Sequence, residues 1–135
     1  MKTLDLVKQI FGLLKSSENS VVIKITEFEK ELEKYGLSLY DLEAGLVLYH
    51  VIQRIIIENK EVILDFDKIP YIPHAISSEC LERLSYEYGN RLAEHLKVIN
   101  VPEKDREYIK SCMTHYMIIV YNAKYYKTNK ELVVA

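Results

Sequence analysis

The chain has 135 residues, 49% hydrophobic and 28% charged, a composition of one globular domain that excludes intrinsic disorder. A net charge of −2 and a pI near 6.1 exclude a global electrostatic pull toward nucleic acid or an anionic membrane. Two cysteines, Cys80 and Cys112, cannot build a disulfide framework and fit a reduced, cytoplasmic setting, and the apolar runs fall short of the roughly 20 residues of a membrane span.

The first segment, "MKTLDLVKQIFGLLK", places Leu6, Val7, Ile10, Phe11 and Leu14 at helical spacing, with Asp5, Lys8, Gln9 and Lys15 on the other face. Those polar interruptions predict an amphipathic helix and not a signal peptide. "VVIKI" follows as a short β-branched strand. In "TEFEKELEKYG", Thr26 and Glu29 have capping-box spacing, Phe28, Leu32 and Tyr35 share a face, and Gly36 is placed to end the helix. Ser38 and Asp41 repeat the helix-start signature, and a long helix is predicted from about Leu39 to Ile57, closed by Asn59.

"EVILDF" alternates as a half-buried strand, and "DKIPYIPH" reads as loop because of Pro70 and Pro73. Ser77 or Ser78 is then suited to cap a helix with the stripe Leu81, Leu84, Tyr88, Leu92 and Leu96, ending near Asn100. Pro102 suits the first turn of a fifth helix running to about Lys127, and the tail "ELVVA" reads as a further short strand. Only two glutamines against many Ile, Glu, Lys and Tyr give the composition a thermophile-like cast.

Over residues 3 to 66 the order helix, strand, helix, tight turn, helix, strand resembles a winged helix-turn-helix, carried by "LDLVKQIFGLLK", "VVIKITEFEKELEKYGLS" and "VIQRIIIENKEVILDF". The expected fold is therefore mainly α. It is a five-helix single domain over 1–135 with two or three short strands, whose winged-helix-like half, 1–68, is extended by two helices over 75–128.

In winged-helix proteins that bind DNA, the third helix presents basic and amide side chains to the major groove. Here it offers Asp41 and Glu43 first and is otherwise largely apolar, and residues 26–67 carry ten carboxylates against four bases. A nucleic-acid footprint is the reverse. A helix apolar on nearly all sides is a buried one, so 39–57 reads as the central core helix. Tyr40 and Tyr49 are the anchors if one of its faces meets a partner.

From Tyr108 onward, Lys110, Lys124, Lys127 and Lys130 interleave with Tyr108, Tyr116, Tyr121, Tyr125 and Tyr126. Core packing, a protein interface and a nucleic-acid surface with stacked bases are the three readings of that pattern. Cys112 and His115 share a helix face, and with Cys80, His74 and His95 they are the candidate zinc ligands; buried free cysteines in an ordinary core explain the same residues. Arg91 and His95 resemble the Arg-then-His motif of helical HEPN ribonucleases. They stand closer together than in that family, and Leu92 follows the arginine where a polar residue is usual.

The functional expectation is a non-enzymatic interaction module or accessory subunit without a cofactor. It would act on a protein partner, or as a homodimer, through an acidic winged-helix-like face and a Tyr-rich last helix. The alternatives are a DNA- or RNA-binding regulator using the basic end of that helix, and a small HEPN-like ribonuclease or zinc protein.

Overall fold

The computed structural model describes residues 2–14, 19–108 and 118–120. Its element order is α1 (Lys2–Leu13), β1 (Ser20–Lys24), α2 (Ile25–Glu33), α3 (Leu42–Ile57) and β2 (Glu61–Asp65). A helical rod follows, made of α4 (His74–Ile76), a π segment (Ser77–Glu82) and α5 (Arg83–Tyr88). A 3-10 stretch (Gly89–Glu94), β3 (Leu96–Ile99), a 3-10 turn (Glu103–Asp105) and β4 (Ile118–Val120) complete it. The protein is a mainly α single domain, with helices outweighing one small sheet.

The helix boundaries follow from local chemistry. Gly36 at φ 76° closes α2: Leu37 N–H donates to the Leu32 carbonyl and Gly36 N–H to that of Glu33, a Schellman pair. Asn59 at φ 61° closes α3 in the same way, with Lys60 N–H on Ile55 and Asn59 N–H on Ile56. The Ser38–Asp41 pair does not start α3: Ser38 N–H donates to the Asp41 carboxylate at 2.8 Å within a turn over 38–41, and the helix begins three residues later than expected, at Leu42, with Asp41 at its N-cap. The Thr26 capping box is not used: α2 begins two residues earlier than a Thr26 cap would give, directly from β1, with Lys24 at its N-cap. Ser77 and Ser78 likewise lie inside the rod, bonding back to the His74 carbonyl, and do not cap it.

The sheet has the order β1-β2-β3-β4 and every pair is parallel. Val21, Val62 and Leu96 form one rung, and Ile23, Leu64 and Val98 the next; all six belong to the main core. α3 lies over them, packed against β2, α1, α4 and the π segment, with Val47, Leu48, Val51 and Ile52 fully buried. It is the central core helix. Its closest crossing is at Gly45, where a Cβ would stand 2.0 Å from the Ala75 carbonyl oxygen.

Three expectations change. β2, read from its alternation as a half-buried strand, is an interior one with parallel neighbours on both sides. The fourth helix does not reach Asn100. Gly89 at φ 56° ends it, and Leu96–Ile99 becomes β3, because the apolar stripe runs on past the break in a β-branched segment. The fifth helix is not continuous over 102–127, since Ile118, Ile119 and Val120 pair with β3. The tail "ELVVA" lies outside the described residues. The core draws on both halves of the chain, from Leu6 to Val101. No helix among the described residues is long and apolar enough to cross a membrane.

Candidate interaction site

Parallel strands send all their carboxyl ends to one edge of the sheet, the usual place for ligand-facing loops in such folds. The loop leaving β2 there is tightly held. Asp65 Oδ1 accepts from Asp67 N–H at 2.9 Å and from Asn100 Nδ2 at 2.7 Å, tying the exits of β2 and β3 together. Lys68 at φ 68° and Asn100 at φ 57° take the left-handed conformation that this path requires. Farther along, Ile72 N–H donates to Asp105 Oδ2 at 2.7 Å, and Ile69 and Ile72 are buried. Tyr71, between those two pinned residues and flanked by Pro70, is thereby held outward with 40% of its surface exposed.

Tyr71 meets Tyr40, whose backbone is fixed by its own N–H on Ser38 Oγ at 3.0 Å, with Leu39 buried beside it. The ring centroids lie 5.9 Å apart at 45°, an inclined aromatic pair. Tyr40 remains 59% exposed and the neighbouring Leu42 60%. The Tyr40 hydroxyl is held above the usual phenol range, first by its hydrogen bond with Tyr71 and in lesser part by the Glu29 carboxylate. The sequence leading to Tyr40 and just past it is acidic. From 26 to 43 the chain carries Glu27, Glu29, Glu31, Glu33, Asp41 and Glu43 against Lys30 and Lys34, and Lys34 is paired with Glu31 at 2.8 Å.

The second polar cluster joins α3 to α5. Tyr49 O–H donates to Glu87 Oε2 at 2.5 Å, and Gln53 Nε2 donates to Glu87 Oε1 at 3.0 Å. Arg83 lies 5.2 Å from the Tyr49 ring centroid and 3.3 Å from Glu79. Burial, and then Glu87, push the Tyr49 phenol up to about 12, so it stays protonated as a donor. This is a clamp between helices. Tyr49 is buried and occupied, and of the two anchors expected on this helix only Tyr40 is accessible.

Cys80 is fully buried in the core, where desolvation pushes its thiol well above the ordinary range. His74 is exposed, while His95 is half-buried with Nδ1 3.4 Å from the Lys60 carbonyl oxygen. Among the described residues no three His, Cys, Asp or Glu side chains gather to hold a metal ion; Cys112 and His115 lie outside them. Arg91 is exposed on a 3-10 stretch and His95 sits in the turn before β3, so the two do not share an α-helical face. Of the Tyr- and Lys-rich segment only Tyr108 is described: it is exposed, and its hydroxyl donates to Glu82. Lys110, Tyr116, Tyr121, Lys124, Tyr125, Tyr126, Lys127 and Lys130 lie outside the described residues.

The sequence reading singled out Tyr40 but not Tyr71. The signal for it was "IPYIP", where a tyrosine between two Ile-Pro steps sits on a path with few conformations to lose. Comparison with protein-family models, with curated proteins and with solved structures gives no match.

Proposed function

We propose that the protein is a binding module that acts by holding another protein at the corner formed by Tyr40, Leu42 and Tyr71. The observation that carries this reading is the exposed Tyr40–Tyr71 pair on rigidly pinned backbone. Tyrosine gives a large contact area with a polar tip at small entropic cost, and such residues dominate interface energetics. The backbone supporting the rings is tied down before any partner arrives, which lowers the ordering cost of binding. The acidity around the corner disfavours nucleic acid, whose phosphates need basic neighbours.

A photo-reactive benzoylphenylalanine placed at position 40 or 71 tests this in an extract of the source cells. Tyr86, 96% exposed on α5, serves as the control position. The reading predicts a discrete protein adduct from 40 and 71 that is absent from 86. Equal or absent adducts at all three positions contradict it.

A further inference from the structure

Resting on that reading, we infer that the corner receives an arginine-bearing protein segment, with a guanidinium seated against the Tyr40 and Tyr71 rings and neutralised by the carboxylates beside them. Three features converge on this chemistry. The two ring faces are partly open, and aromatic faces attract cations, arginine most often because its planar, weakly hydrated group stacks on them. Asp41 is the adjacent residue, its carboxylate anchored by Ser38 N–H in the turn that carries Tyr40, and Glu29 on α2 adds its charge to the field at the Tyr40 hydroxyl. Among the described residues, Glu27, Glu29 and Glu33 have no basic side chain within ion-pair distance.

The molecule itself shows the same chemistry on a smaller scale. Arg83 lies over Tyr49, whose hydroxyl is held by Glu87, with Glu79 bonding the guanidinium. There the cation comes from within the chain. At the Tyr40–Tyr71 pair the rings and the acids are present, and among the described residues no guanidinium of the chain is recorded over them.

The basic groups nearby are compatible with this. Lys34 is paired with Glu31, and Lys24, Lys30 and Lys68 line one hollow together with as many carboxylates, Glu27, Asp65 and Asp67. Leu42, exposed on the first turn of α3, offers the apolar contact that an aliphatic residue next to the arginine would use. A lysine would satisfy the charge but stack less well, so arginine should be preferred.

Fluorescence anisotropy with a labelled Arg-Gly alternating peptide tests this directly, alongside the Lys-Gly and Glu-Gly peptides and a single-stranded oligonucleotide of similar length. The Arg-Gly peptide should bind at low ionic strength and weaken as salt is raised. Tyr40→Ala with Tyr71→Ala should weaken it about tenfold, the scale of two exposed cation–π contacts. Glu29→Gln with Asp41→Asn, which leaves the rings intact, should weaken it several-fold, and Tyr86→Ala should not change it. Absence of Arg-Gly binding at low salt, indifference to both double variants, or stronger binding of the Glu-Gly peptide or the oligonucleotide would overturn the inference. A position-specific adduct at 40 and 71 with no Arg-Gly binding removes this inference alone. Loss of the adduct removes the underlying reading as well.

Discussion

Gly45→Ala sets two physical effects against each other within one methyl group. In a helix interior, Ala is favoured over Gly by about 1 kcal/mol, so propensity alone predicts a more stable protein. The structure predicts the reverse. The added carbon would lie 2.0 Å from the Ala75 carbonyl oxygen, 2.7 Å from its carbonyl carbon and 2.9 Å from Glu79 Cβ. A carbon ordinarily approaches a carbonyl oxygen to about 3.3 Å, so α3 and the rod would have to part by roughly 1 Å. The obstacle is backbone and cannot rotate away. Overpacking typically costs about 1–3 kcal/mol, and a backbone clash between two core helices belongs at or above the upper end of that range. After the propensity gain, the expected loss is about 2 kcal/mol, or a fall in Tm of about 8 °C at roughly 4 °C per kcal/mol for a chain of this size. Gly12→Ala in α1 is the matched control, because nothing lies within 4 Å of its added carbon. That variant should be stabilised by up to about 1 kcal/mol. Urea unfolding of both variants measures the difference, and a Gly45→Ala protein as stable as wild type would refute the helix crossing described.

The same core yields a graded series. Leu48→Ala and Ile52→Ala, at fully buried positions, should each cost about 2–5 kcal/mol, and Leu46→Ala, only half-buried, distinctly less by denaturant unfolding. Because the folded Tyr49 phenol lies near 12 and an unfolded one near 10, its contribution is present below about pH 10 and is lost as pH rises toward 12. Tyr49→Phe should flatten that part of the stability–pH curve, and an unchanged slope would argue against the buried donor. In a Cys112→Ser chain, Cys80 should resist an aromatic disulfide reagent until denaturant opens the core; labelling of the native protein would contradict its burial.

How far the sequence carried can be judged element by element. α1, α2 and α3 were legible because each has an apolar face at helical period, and α2 and α3 end at the left-handed residues Gly36 and Asn59. β1 and β2 were legible as strands, but their pairing was not. Reading "EVILDF" as an alternation passed over Ile63, which is 1% exposed, on the opposite face from Val62 and Leu64. A run apolar on both faces is the mark of an interior parallel strand, and Val62–Ile63–Leu64 is such a run. β3 was hidden by coincidence, since Leu92 and Leu96 continue the spacing of Leu81, Leu84 and Tyr88 beyond Gly89. The interaction corner was half legible. Tyr40 stood out in a segment expected to be helical and lies in the turn just before α3, whereas its contact with Tyr71 is set by the sheet edge and by the Ile72–Asp105 bond, both long-range features.

The central claim is that the Tyr40–Tyr71 corner is where this protein meets its partner, and backbone amide chemical-shift mapping with the Arg-Gly peptide tests it most directly. The account predicts perturbations concentrated at residues 38–43 and 67–72, with smaller changes along the Glu29 turn of α2 and none at the Tyr49–Glu87 clamp. Perturbations centred on α5 around Tyr86 or on the outer edge of β1, with the Tyr40 and Tyr71 amides unmoved, would contradict it.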